Sequence, residues 1–228
     1  MTIIAFTGIP GSGKTTTALE LSKLMHAPCL YLSENVEESA IFEGSAPLFG
    51  FKTRLALRKL MLKKFQEAKK LSHQGNLVIV DSYYDKVMHS ILEKQGSDFI
   101  MKKQNPYFNV VSRLAKYDKF LFPDADIVIG IRIPQKNWNE LLRKRNRKLD
   151  TDPVFHKNTF LLQEHILSYT KEYCQKRQKQ YIEIPLLLNQ QEQMVIQILN
   201  ILNQKQKNCV AKNCLKIFSL FNEEKQNQ

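Results

Sequence analysis

Residues 6–17 read FTGIPGSGKTTT. An apolar run from Thr2 to Phe6 leads into them, and an apolar-periodic segment from Lys14 to about Met25 leads out. The stretch therefore joins a predicted strand to a predicted helix. Within it, Gly8-Ile9-Pro10-Gly11-Ser12-Gly13-Lys14-Thr15 fits the pattern G-x-x-x-x-G-K-[S/T] throughout. Glycine reaches backbone dihedrals that other residues resist, so consecutive N–H groups can turn inward on phosphate oxygens. The start of the helix adds the positive end of its dipole. Gly8, Gly11, Ser12, Gly13, Lys14, Thr15 and Thr16 are the phosphate-binding candidates. Lys14 is expected to reach the outer phosphates and the Thr15 hydroxyl to ligate Mg2+. The loop is built to hold a nucleoside triphosphate.

Outward from this loop, short apolar segments alternate with helical ones. Cys29–Leu32, Leu77–Val80, Ile127–Ile133 and Tyr181–Ile184 read as further strands. Helices are predicted at Phe51–Leu71, Tyr84–Lys94, Tyr107–Phe120, Asn137–Arg145, Phe160–Arg177 and Gln190–Asn203, with Lys148–Asn158 polar and irregular. This alternation predicts an α/β fold with a five-stranded parallel sheet covered on both faces. Composition changes after Asn203, so the expected division is a main domain over 1–203 and a polar linker with an appended helix over 204–228.

What happens to the triphosphate depends on residues beyond strand ends, where open α/β sheets bind ligands. Glu34 follows the second strand and Asp81 the third. One carboxylate can orient a hydroxyl acceptor and take its proton, and the other can serve a magnesium ion. Glu37, Glu38 and Glu43 compete with Glu34 for the first role. The run Leu142-Arg143-Lys144-Arg145-Asn146-Arg147-Lys148 enters the polar segment. Read as a mobile lid, it offers Arg145 and Arg147 to the charge that develops in phosphoryl transfer; read plainly, it is a solvated basic face. No Asn-Lys-x-Asp guanine reader is present, which sets aside the switch GTPases.

With these residues in place, the chain resembles the deoxynucleoside kinase family and the related thymidylate kinases over Thr2 to Asn203. GIPGSGKTT is similar to their phosphate loop, and SENVEES, with Glu34, to the segment carrying their general base. LVIVDSYYDK resembles the strand that ends in Glu-Arg-Ser or Asp-Arg-Tyr, PDADIVIGIRI and ELLRKRNRKLD the Pro-Asp strand and arginine lid, and FLLQEHILSYTKEY the helix after the lid. The resemblance implies a three-layer P-loop kinase fold and transfer of the γ-phosphoryl group of ATP, with Mg2+, to a nucleoside 5′-hydroxyl. It implies catalytic roles for Lys14, Glu34, Asp81, Arg145 and Arg147, with Thr15 and Asp81 at the metal. Glu34, Phe49, Phe51, Lys52 and Asp85 would contact the acceptor, and a homodimer is implied as well.

Two departures stand out. Ser82 takes the place of the family arginine, and Lys52 that of a base-reading glutamine. An ammonium only donates hydrogen bonds, so Lys52 suits a carbonyl-rich or anionic acceptor. Arg54 and Arg58, one helical turn apart, could share that anion with it, or could form a basic outer face. Acceptor alternatives are therefore a nucleoside monophosphate, as for thymidylate kinase, or another small molecule.

Bulk properties agree with an anionic ligand. The chain has 228 residues, 43% of them hydrophobic, and a formal net charge of +12. Such a charge also suits a nucleic-acid-binding P-loop ATPase, but basic and aromatic residues are not regularly interleaved, so nucleic acid is the minor alternative. The amino terminus lacks a basic region followed by a long apolar core, and no apolar run reaches the ~20 residues a bilayer needs. Cys29, Cys174, Cys209 and Cys214 form no CxxC pair. The expectation is a cytoplasmic protein with reduced thiols and no membrane partner.

Overall fold

Strand alternation sorts the core before any helix is placed. In a strand, successive side chains point to opposite sheet faces. Ile4, Phe6, Ile79, Ile129 and Ile131 fall in one buried cluster, while Ile3, Ala5, Val78, Val80 and Val128 fall in another. Both faces are apolar, as a parallel sheet covered on each side demands. The computed structural model describes residues 2–31, 47–83, 85–95, 103–145, 153–186, 188, 190 and 192–203.

The order of elements is β1 (Thr2–Thr7), α1 (Lys14–Met25), β2 (Cys29–Leu30), α2 (Pro47–His73), β3 (Leu77–Val80), α3 (Asp85–Gln95) and α4 (Phe108–Leu121). Then come β4 (Ile127–Arg132), α5 (Gln135–Arg145), α6 (Pro153–Lys176) and β5 (Gln180–Pro185), followed by α7 over residues 192–203. The five strands form one sheet in the order β2-β3-β1-β4-β5, all pairs parallel. The predicted α/β class and five-stranded parallel sheet are thus borne out.

The helices complete the two layers. Ala18 and Leu21 of α1, Trp138 and Leu142 of α5, and Met194, Val195, Ile198 and Leu202 of α7 join the isoleucine-rich cluster. Phe65 and Ala68 of α2 and Tyr173 and Cys174 of α6 join the other. Two boundaries depart clearly from the sequence expectation: α2 begins at Pro47 rather than Phe51, and residues 153–158, expected to be irregular, already belong to α6, which opens on Pro153. Proline suits the first helical position because its missing N–H is unneeded there.

A polar network ties the second layer together. Asp124 Oδ1 accepts from the hydroxyls of Tyr83 at 2.8 Å and Tyr173 at 3.0 Å. The buried Lys86 ammonium lies 3.3 Å from the same oxygen and also donates to the carbonyls of Lys119 and Phe122. Burial alone would raise the Asp124 carboxyl; the Tyr83 and Tyr173 hydrogen bonds and the Lys86 charge outweigh it and hold it below the usual carboxylate range.

Candidate functional site

Register decides what meets the glycine loop. Ala5 of β1 pairs with Val80 of β3, so the chain leaves both strands side by side, one into the loop and the other into Asp81. On the other flank β1 pairs with β4, Thr7 lying opposite Gly130. The loop therefore sits where connections run to opposite sides, the crevice in which such sheets bind ligands.

The loop backbone matches the task set by its sequence. Gly13 caps α1 at φ 81° and Gly11 turns at φ 77°, both in the left-handed region that favours glycine. A Cβ on Gly11 would also lie 2.6 Å from Leu142 Cδ2 and 3.1 Å from Trp138 Nε1. The Lys14 ammonium donates to the carbonyls of Gly8 at 3.0 Å and Ile9 at 2.7 Å, folding over the loop mouth. Ser12 is buried, Thr16 is exposed, and Thr17 Oγ1 donates to Gly13 O at 2.9 Å, tightening the first turn.

Thr15 and Asp81, 66 residues apart, are brought together: the Thr15 hydroxyl donates to Asp81 Oδ2 at 3.0 Å. The second carboxylate oxygen is held by a residue the sequence reading passed over. Lys64 of α2 donates from Nζ to Asp81 Oδ1 at 2.8 Å. This ion pair is buried, with side-chain exposures of 5% for Lys64 and 9% for Asp81. Nearby, burial foremost and then the Asp81 charge push the Cys29 thiol up to about 11, with Lys64 partly offsetting them. A carboxylate oxygen and a hydroxyl are hard oxygen donors of the kind Mg2+ takes beside phosphate oxygens and water, so this pair fits the metal. Among the described residues no group of three or more His, Cys, Asp or Glu gathers as a separate metal site.

The helix that ends in Arg145 is latched to the loop at its base. Trp138 Nε1 donates to Pro10 O at 2.8 Å, and Leu142, one turn on, packs against Gly11. Gln163 of α6 pins the chain between β4 and that helix, accepting from Ile133 N–H at 2.8 Å and donating back to its carbonyl at 3.0 Å. Arg145 ends α5 and is half-buried. Arg147 and Glu34 lie outside the described residues, as does the segment 204–228, and the side chains of Phe49 and Asp85 lie outside them too.

The acceptor candidates on α2 are distributed differently from the sequence reading. Phe51 stacks on Tyr107, with ring centroids 4.8 Å apart and planes 12° apart. Lys52 is exposed. Arg58 does not join Lys52 in an anion site: its guanidinium forks onto the buried Asp118 carboxylate of α4 at 2.6–2.8 Å. A bidentate pair of this kind braces two helices, so the proposed three-residue anion cluster is corrected to a structural ion pair.

Solved structures share this fold. Deoxyadenosine kinase from M. mycoides with bound dATP aligns with a TM-score of 0.62 at 20% identity, covering 89% of this chain and 100% of that one. The same enzyme with the products dCMP and a flexible dCDP gives 0.61 at 21% identity, over 89% and 99%. Thymidylate kinase from Candida albicans gives 0.57 at 15% identity, over 90% and 92%. The fold is that of the deoxynucleoside and thymidylate kinases, as the sequence resemblance implied.

Among curated proteins, a deoxyadenosine kinase of Dictyostelium discoideum is 24% identical over 155 residues, 66% of this chain. That match spans 60% of the relative's own length. Residues 1–90 also match the family described as chromatin associated protein KTI12, a stretch that runs from β1 past Asp81. Among the described residues no helix is long and apolar enough to cross a membrane.

Proposed function

We propose that this chain is an ATP-dependent phosphotransferase that moves the γ-phosphoryl group to the 5′-hydroxyl of a deoxynucleoside or nucleoside. The observation that carries this reading is the 3.0 Å contact between Thr15 and Asp81 at the mouth of a complete phosphate loop, on a fold shared with deoxyadenosine kinases. Lys14 exchanges its loop carbonyls for the β- and γ-phosphate oxygens and follows the charge as it shifts toward the leaving group. Thr15 and Asp81 would hold Mg2+, which neutralises phosphate charge when bound. Glu34 takes the proton of the attacking hydroxyl as the bond from the γ-phosphorus to ADP breaks and the new ester forms. Arg145 and Arg147 close over the transferring group.

A panel of nucleosides and nucleoside monophosphates, each assayed for ATP turnover and phosphorylated product, tests this. Turnover with a nucleoside is the expected result. Turnover with monophosphates alone would move the acceptor one phosphate along and remove the need for Glu34 as base, because a phosphate acceptor is already ionised. Silence across the panel would remove both versions. The match of residues 1–90 to the chromatin-associated family and the +12 charge support a second reading, a P-loop ATPase that binds nucleic acid. It predicts hydrolysis stimulated by nucleic acid, with an affinity that falls steeply as salt rises.

A further inference from the structure

The Asp81 carboxylate has two oxygens with two different partners. Oδ2 accepts from Thr15, the phosphate-loop threonine, and Oδ1 accepts from Lys64. Both charged residues are more than nine-tenths buried, so solvent screens the pair weakly. Lys64 comes from the middle of α2, between Met61 and Phe65, and these side chains pack toward the sheet. The α2–β3 packing therefore fixes the position of the ammonium, rather than its flexible stem. Lys64 donates to Asp81, and an ammonium carries three donors.

We propose that Lys64 is a resident cation of the phosphate site, a positioning residue that shares the Asp81 carboxylate with the divalent metal and thereby weakens the metal's hold. The inference rests on the phosphotransfer reading, which places that metal at Thr15 and Asp81. With the metal absent, the ammonium keeps a buried carboxylate compensated and aimed at Thr15. With the metal present, two cations divide one anionic charge, so the metal is bound less tightly than a lone aspartate would bind it. Ser82 follows Asp81 in the chain, and the cation that reaches the aspartate comes from α2.

The test measures Mn2+ binding by electron paramagnetic resonance, on the full-length protein with the non-hydrolysable analogue AMP-PNP. Lys64→Gln keeps a donor to Asp81 but removes the charge; Lys64→Arg keeps the charge. The expected result is Mn2+ binding at least about fivefold tighter in Lys64→Gln and within about twofold of wild type in Lys64→Arg. Equal or weaker binding in a folded Lys64→Gln, with wild type binding normally, overturns the inference and leaves the phosphotransfer reading standing. Absence of Mn2+ uptake by wild type and variants alike overturns both. Should Lys64→Gln fail to fold, the wild-type protein still decides. Its Lys64 15Nζ resonance, assigned by its loss in Lys64→Arg, shifts as Mg2+ is titrated into the AMP-PNP complex; an unmoved resonance overturns the inference.

Discussion

Replacing Trp138 with phenylalanine tests whether α5 and the phosphate loop act as one piece. Trp138 is 1% exposed, its ring lies 5.6 Å from Phe160 between centroids, and its Nε1 donates to Pro10 O at 2.8 Å. Phenylalanine removes that donor, a net loss of about 0.5–1.5 kcal/mol. It also leaves a void of roughly 40 Å3, costing about 1 kcal/mol more at ~24 cal/mol per Å3. The two sum to about 1.5–2.5 kcal/mol, which for a chain of this size lowers Tm by about 3–10 °C. Urea unfolding of the nucleotide-free protein measures the stability change, and steady-state kinetics measure the ATP KM. A several-fold rise in KM is expected, because the loop carbonyl at Pro10 loses its brace. A stability change below about 0.5 kcal/mol, together with an unchanged KM, would refute the idea that this contact couples α5 and the loop.

Other perturbations follow from the same contacts. Lys14→Ala should abolish turnover while circular dichroism and Tm stay close to wild type, since the Lys14 ammonium donates to the nearby loop carbonyls of Gly8 and Ile9; a fully active variant would contradict the mechanism. Arg58→Ala leaves the Asp118 carboxylate without its fork and should cost about 2–4 kcal/mol in urea unfolding, with acceptor KM changing far less than it would for a binding arginine. Asp124 is held below its unfolded range, so its contribution to stability is present above about pH 4 and lost as pH falls through the lower folded value. Melting curves from pH 7 to 3 should therefore show wild type losing its advantage over Asp124→Asn on acidification, and a constant advantage would count against the network. Burial foremost, with Asp81 and Asp124 as the next causes, pushes the Cys29 and Cys174 thiols up to about 11 and about 12. Neither should therefore react with iodoacetamide at pH 7.5 without denaturant, as peptide mapping would show.

Sequence alone disclosed the parts of the site that are local and hid those made by distant chain segments. The phosphate loop is a strand, three glycines and a helix start in one stretch, and its chemistry follows from backbone geometry near at hand. Asp81 was visible because strand ends mark the ligand edge of such sheets. Lys64 was obscured by Lys63, Lys69 and Lys70 around it, yet the period did hold the signal. Met61, Phe65 and Ala68 pack inward at helical spacing, and position 64 lies on that stripe while 63 does not. No comparable cue existed for Trp138, whose partner lies 128 residues away, or for Arg58, whose partner lies 60 away. The side chains that were missed are the ones that link layers. Lys64 joins α2 to the end of β3, and Trp138 joins α5 to the loop after β1. A loop whose backbone must keep its N–H groups aimed at one point cannot be held by its own glycines, which add conformational freedom. Its rigidity has to be imported from the packed helices, and the Trp138 contact to Pro10 O and the packing of Leu142 against Gly11 are two places where this fold delivers it.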